Sequence, residues 1–247
     1  MTGKVLIIVH QEHSTPGRIG QALEARGYDL DIRRTCMGHD LPETLDDHVG
    51  AVIFGGPMSA NDDVTLPFIR QELEWLQVPL REDKPFLGVC LGGQMLARVL
   101  GAPVCCSDSG WHEIGYYPIR GTAAGRHLFA DEQYFYQWHG EGFGLADTAE
   151  LLAEGDYFPN QAFRYGRAYG IQFHPEVTRE MMLRWSSKAA HRMVMPGAQS
   201  RDMHIAGNDR HDADIAAWLD RFLDHWLGAA RPAGAERVVS AAAAAKP

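Results

Sequence analysis

Residues 84–101, Lys-Pro-Phe-Leu-Gly-Val-Cys-Leu-Gly-Gly-Gln-Met-Leu-Ala-Arg-Val-Leu-Gly, constrain this chain more than any other stretch. A short apolar strand runs into an abrupt turn of small residues around Cys90, and a helix follows that glycine stops. The turn has the form Gly-x-Cys-x-Gly, the cysteine counterpart of the strand-to-helix elbow that lifts a nucleophile out of a sheet. Gly88 and Gly92 leave room for the bend because neither carries a Cβ. A cysteine held there lies at a helix N-terminus, where unpaired N–H groups and the helix dipole favour negative charge. The same letters also fit a buried structural cysteine beside two packing glycines.

The flanking sequence supplies a sheet for that elbow. Val5-Leu6-Ile7-Ile8-Val9 is an unbroken apolar run, the pattern of a central parallel strand covered on both faces. The pattern predicts a helix over 17–26, strands over 28–33 and 51–54, and a second helix over 66–76. With the elbow strand and helix the order is β-α-β-β-α-β-α, which points to an α/β fold with a doubly wound, mostly parallel sheet. Ligands of such sheets sit beyond the carboxyl ends of the strands. Both the elbow and the loop Gly55-Gly56-Pro57-Met58-Ser59 lie at such ends, although a Gly-Gly-Pro turn alone is an ordinary loop. Shorter strand-like runs at 113–119, 134–138, 150–153, 161–165 and 168–173 predict an added short antiparallel portion. A helix over 178–195, a loop over 196–210 and an amphipathic helix over 212–227 follow. The chain thus reads as one domain, 1–228, and an Ala-rich tail, 229–247, expected to be disordered or to form a short helix against a neighbour.

A chain of 247 residues, 45% of them hydrophobic, is long enough for one well-cored domain. Its formal charge of −9 and the lack of any Lys/Arg cluster argue against nucleic acid or an anionic membrane as partner. No apolar run reaches the roughly 18 residues of a membrane span, and Met1 to Lys4 leads straight into a strand, so a cytoplasmic location is expected. Cys36, Cys90, Cys105 and Cys106 form no evenly spaced framework and are expected to be reduced thiols. The 12 histidines include no His-x-x-x-His pair, so no metal and no cofactor is expected. Trp75, Trp185, Trp218 and Trp226 are candidates for the core or for a homodimer interface.

The strand over 168–173 delivers His174-Pro175-Glu176, in which proline stops the strand and aims the imidazole and carboxylate off its carboxyl end. A cysteine nucleophile needs a base for its proton, and the base needs an acid to orient it. His174 and Glu176 fit those roles beside Cys90. The backbone N–H groups of Gly56 and of Leu91, the residue after the nucleophile, fit an oxyanion hole. Together these features describe acyl transfer through a thioester.

At this point the chain resembles the class I, triad-type glutamine amidotransferases. Five blocks carry the resemblance in the family's order: 55–59, Gly88-Val89-Cys90-Leu91-Gly92-Gly93-Gln94, His112-Glu113-Ile114-Gly115, Trp138-His139-Gly140-Glu141 and Gln172-Phe173-His174-Pro175-Glu176-Val177. The resemblance implies hydrolysis of a γ-glutamyl amide, with Gln94, His139, Gly140 and Glu141 at positions that hold the α-amino and α-carboxylate groups of glutamine. Gln94 also fits a solvent-facing helix position, His139 a packing role, and Glu113 an organising role. No synthetase domain follows the five blocks, so the chain is similar to stand-alone members such as γ-glutamyl peptidases and GMP-synthase-like proteins. An autonomous hydrolase of a small γ-glutamyl substrate leads the readings. A glutaminase subunit served by a separate synthetase, a non-catalytic regulatory protein, and a redox or chaperone protein of a related fold remain beside it.

Overall fold

Alternation along the apolar runs decides which side of the sheet each residue covers, and the computed structural model describes the result over residues 3–228. In chain order the elements are β1 (Lys4–Ile8), α1 (Gly17–Ala25), β2 (Asp29–Arg33), β3 (His48–Ile53), α2 (Pro67–Trp75), α3 (Gln77–Arg81), β4 (Phe86–Val89) and α4 (Leu91–Val99). There follow β5 (Val104–Cys106), β6 (Glu113–Gly121), β7 (Gln133–His139), β8 (Glu141–Phe143), β9 (Glu150–Gly155), β10 (Asn160–Tyr165), β11 (Ala168–Ile171), α5 (Arg179–Lys188) and α6 (Arg201–Leu227). The tail expected over 229–247 lies outside the described residues.

Nine strands form one sheet in the order β2-β1-β3-β4-β11-β10-β9-β6-β7. Pairing is parallel from β2 through β11 and antiparallel from β11 to β7. The expected parallel core with added antiparallel strands is therefore present as a continuous sheet, and β5 pairs with β8 in a separate two-stranded ribbon. Val5, Ile7, Val52 and Leu87 face the core under α1, α5 and α6. Their neighbours Leu6, Ile8, Ala51 and Phe86 face the opposite core under α2 and α4. This two-sided burial is why the parallel strands read as unbroken apolar runs. Trp218 and Trp226 of α6 are core residues, each with its indole N–H on a carbonyl, of Leu128 and Phe86 respectively. Trp75 is buried in the other core, and Trp185 is half-buried.

The expected loop over 196–210 is corrected at its second half, because α6 starts at Arg201. Its first three turns carry no apolar stripe; they dock through polar groups. Asn208 Nδ2 donates to the Tyr116 hydroxyl at 3.2 Å, and His204 Nδ1 lies 3.1 Å from the Tyr136 hydroxyl. Gly207 lets the helix touch the Tyr116 ring, since a methyl there would lie 2.3 Å from a ring carbon. The helix expected over 178–195 also breaks earlier: α5 ends at Lys188, and a 3-10 turn, Ala190–Val194, follows.

Ser200 caps α6, its Oγ accepting the Met203 N–H at 3.3 Å. Ser200→Ala should lower the unfolding free energy by about 1 kcal/mol, the usual worth of such a cap, measured as the urea midpoint at unchanged slope. No change would mean that the polar contacts of His204 and Asn208 alone set the start of the helix.

Candidate active site

Four parallel strands end on one edge of the sheet, and the residues just beyond them build a site. β4 and β11 run in register with Val89 beside Ile171, so Cys90 and Gln172 leave the edge side by side. β3 flanks β4 with Ile53 beside Gly88 and delivers Phe54, Gly55 and Gly56. β1, beyond β3, delivers Val9, His10 and Gln11.

Cys90 joins β4 to α4 at φ 50° and ψ −105°, a conformation that costs a residue with a side chain about 1–3 kcal/mol. The turn must be that sharp because α4 packs directly on the strands. A methyl on Gly92 would lie 2.1 Å from the Ile53 carbonyl oxygen, and one on Gly88 would lie 2.4 Å from the Gly92 backbone. Two hydrogen bonds hold the strained residue: Cys90 N–H donates to the Ile171 carbonyl at 2.7 Å, and its own carbonyl accepts from Gln94 N–H at 2.9 Å. Gln172 Nε2 donates to Sγ at 3.6 Å.

His174 faces this cysteine from the end of β11. Its backbone N–H donates to the Tyr136 carbonyl at 2.8 Å, and its Nδ1–H donates to Glu176 Oε1 at 2.8 Å. Nε2 is buried with no hydrogen-bond partner. Gly55 is wedged between the two side chains, since a methyl there would lie 2.8 Å from His174 Cε1 and 3.4 Å from Cys90 Cβ. Burial opposes the charged imidazolium, but the charges of Glu176 and Cys90 outweigh it and raise the pKa of His174 to about 10. Cys90, His174, Glu176, Gly55 and Gly56 line one open cavity of about 350 Å³, within the roughly 300–1,000 Å³ of small-molecule sites.

A second histidine sits behind the glycine loop. His10 Nδ1 is 3.2 Å from the Gly55 carbonyl oxygen, and Nε2 is 2.8 Å from Glu72 Oε2. Thr35 donates its hydroxyl to the other oxygen of Glu72. Burial works against the charge on His10, but Glu72 prevails and its pKa is raised. The peptide joining Gly55 to Gly56 is planar and trans, so its N–H points opposite to its C=O. The Gly55 carbonyl is held on His10, which fixes the orientation of this peptide, and Gly56 lines the cavity. The Leu91 N–H, first in α4, has no carbonyl to take within its own helix.

Gln94, His139, Gly140 and Glu141 are not on the cavity wall. Gln94 is buried, so the solvent-facing alternative is corrected; its Nε2 donates to the Glu141 carbonyl at 2.9 Å and to Gln172 Oε1 at 3.3 Å. His139 Nδ1 is 2.9 Å from the same carbonyl, and Nε2 is 3.1 Å from Glu113 Oε2, which also accepts from Gln161 Nε2. Gly140 lies against the His112 ring, and the Glu141 carboxylate accepts from the Ser59 hydroxyl at 3.0 Å. These residues form a polar layer behind the elbow that reaches Sγ through Gln172. The sequence reading assigned no role to His10, Glu72, Thr35 or Gln172. The signal available for His10 and Gln172 was their place just beyond an apolar strand. Among the described residues no group of three or more His, Cys, Asp or Glu side chains is arranged to hold a metal, and all four cysteines are unpaired.

Known proteins of one family resemble this chain in sequence and in fold. The family model described as glutamine amidotransferase class-I matches residues 9–183. The glutamine amidotransferase-like protein YfeJ of Salmonella typhimurium is 35% identical over 186 residues, covering 72% of this chain and 77% of that protein. The glutamine-hydrolyzing GMP synthase of Streptomyces avermitilis is 31% identical over 160 residues, covering 62% of this chain but only 28% of that longer protein. Among solved structures, a glutamine amidotransferase from Thermotoga maritima superposes with a TM-score of 0.84 at 30% identity, covering 92% of this chain and 99% of that one.

The charge state of His174 is open to measurement. Followed by NMR, its imidazole should stay charged through neutral pH and titrate near 10, and Cys90→Ala, which removes one of the charges responsible, should bring the midpoint down. A folded-state pKa above the ordinary 6.5 means that the resulting stabilisation is complete below about pH 6.5 and is lost as pH rises through 10. The stability difference between wild type and His174→Gln should shrink over that window. An unshifted midpoint in both proteins would contradict the pairing.

Proposed function

This chain belongs to the class I glutamine amidotransferase family, and from that premise we propose that it hydrolyses the γ-glutamyl amide bond of glutamine or a γ-glutamyl compound with Cys90, His174 and Glu176. One observation carries the reading: His174 is oriented by Glu176 through Nδ1 while its Nε2 stays unpartnered on the cavity wall it shares with Cys90. His48 Nδ1 and His204 Nε2 are also buried without a partner, but of these three histidines His174 alone lines the cavity with Cys90, where a free ring nitrogen suits a proton carrier.

In this reading Cys90 Sγ, its proton taken up by His174 Nε2, attacks the γ-carbonyl carbon. A C–S bond forms and the carbonyl electrons move onto oxygen, which the N–H groups of Gly56 and Leu91 receive. His174 gives its Nε2 proton to the nitrogen, the C–N bond breaks, and ammonia or an amine departs. Water then attacks the thioester, its proton passes to His174, and glutamate leaves as the C–S bond breaks. Glu176 holds the imidazole in orientation throughout. Gln94, His139, Gly140 and Glu141 shape the glutamyl side from behind the elbow. The reading carries with it a cytoplasmic setting.

A second reading rests on the partial coverage of the GMP synthase relative, which is named as glutamine-hydrolyzing and extends far beyond the matched span. There this chain serves as the glutaminase part of an assembly, and ammonia passes to a separate synthetase.

Glutamate release by the purified protein, from glutamine and from γ-glutamyl amides, should be abolished in Cys90→Ala and cut by several orders of magnitude in His174→Ala. Silence of the wild type, with Cys90 still alkylated by an electrophilic glutamine analogue, would favour the partner-dependent reading. Silence with no labelling would overturn both. His10→Leu should lower kcat by about 10²–10³, as loss of one oxyanion donor does, with KM little changed. His10→Asn, whose amide can still donate to the Gly55 carbonyl, should recover much of that loss; equal defects in both variants would remove His10 from the oxyanion loop.

A further inference from the structure

Arg184, Lys188 and Arg192 stand four residues apart on α5 and the turn after it, and all line the cavity that holds Cys90. In a chain of formal charge −9 this is a local reversal of sign. Glu176 is the sole acidic residue on the cavity wall, and one of its oxygens is taken by His174. The carboxylate paired with Arg184 is Glu180, 3.9 Å away and well exposed. Among the described residues neither Lys188 nor Arg192 has an ion-pair partner. Arg192 is half-buried, with its guanidinium 6.0 Å from the centre of the Trp138 ring. Burial lowers its pKa while the charge at Cys90 pulls the other way, so the two groups are in electrostatic reach. A partly desolvated cation without a counter-ion is unfavourable until an anion arrives.

The direction of the chemistry says which end of a substrate that anion belongs to. The departing nitrogen must come within about 3 Å of the general acid, and His174 Nε2 is the free nitrogen of that ring. The ring stands edge-on to Trp185, centroids 5.2 Å apart, and Trp185 in turn packs edge-on to Trp138 at 5.9 Å. His174, Trp185, Trp138 and Arg192 are thus a continuous run of contacts lining one cavity, along which a group bonded to the departing nitrogen can lie. The glutamyl chain is carried by the reacting carbon, not by this nitrogen. Ammonia, the leaving group of glutamine, would use none of this wall.

Resting on the hydrolase reading above, we propose that the cavity beyond His174 is a binding site for a carboxylate on the amine half of the substrate, held by Arg192 with Lys188 and Arg184. The preferred substrates are then γ-glutamyl amides of carboxylate-bearing amines, as in a γ-glutamyl amino acid, over glutamine itself. Recognition by Arg192 is a two-pronged contact to a planar anion, for which a guanidinium is suited.

The test compares kcat/KM for γ-glutamylglycine and γ-glutamylglycinamide, which differ in that one charge, with Cys90→Ala as the blank. Wild type should favour the acid by roughly 10- to 100-fold, the range of a hydrogen bond to a charged group. The ratio should fall toward one in Arg192→Gln and shrink with added salt. Because it is a ratio within one preparation, it does not depend on how much of a variant folds. Equal Cys90-dependent rates on both substrates in wild type would overturn the anion site and leave the hydrolase reading standing. A preference that persists when Arg184, Lys188 and Arg192 are all changed to Gln would overturn the assignment to these cations. No Cys90-dependent release from either substrate or from glutamine would overturn the hydrolase reading, and this proposal with it.

Discussion

The hydrogen bond from Cys90 N–H to the Ile171 carbonyl, 2.7 Å long, is the contact on which the rest of the site depends. It extends the parallel ladder between β4 and β11 by one residue, past the point where β4 has already turned toward its helix. By holding Cys90 at a positive φ, it keeps Sγ out of the sheet and over its edge. By fixing the end of β11, it decides where Gln172 and His174 emerge. The strain of about 1–3 kcal/mol at such a residue is tolerated because strands on both sides over-determine its position.

Three buried histidine–carboxylate pairs surround this elbow, and they differ in one respect. His10 and His139 have both ring nitrogens against acceptors: Gly55 and Glu72 for the first, Glu141 and Glu113 for the second. His174 has one nitrogen on Glu176 and the other without a partner. Closed pairs of this kind contribute little net stability, since desolvation offsets their attraction. What they do contribute is orientation. His10 turns one peptide plane of the glycine loop, and His139 anchors the carbonyl that also holds Gln94. The open pair is the one suited to chemistry, and it is distinguished by geometry alone.

The parallel half of the fold was legible in the letters because burial on two faces removes polar residues from its strands. Val5 to Val9 can scarcely be read otherwise. The first turns of α6 were not, since His204, Gly207 and Asn208 dock by hydrogen bonds and by the absence of a side chain rather than by an apolar stripe. A periodicity argument has nothing to count there. The short ribbon of β5 and β8 escaped for a similar reason: Cys105 and Cys106 are exposed, and three residues carry too little alternation to mark a strand.

By itself the sequence determined the elbow, the carriers of the candidate chemistry and the α/β class, because these follow from local stereochemistry: glycines flanking a cysteine, a proline locked between histidine and glutamate, and strands too apolar to face water. Only the tertiary structure decided that the histidine sharing the cavity with Cys90 keeps a free nitrogen, and that His10 lies behind the glycine loop. It also decided that three cations of an acidic chain face one cavity while Gln94 and His139 are tied up behind it. Those are relations between residues as distant in the chain as Val9 and Arg192, set by strand register and helix packing, and no local pattern encodes them.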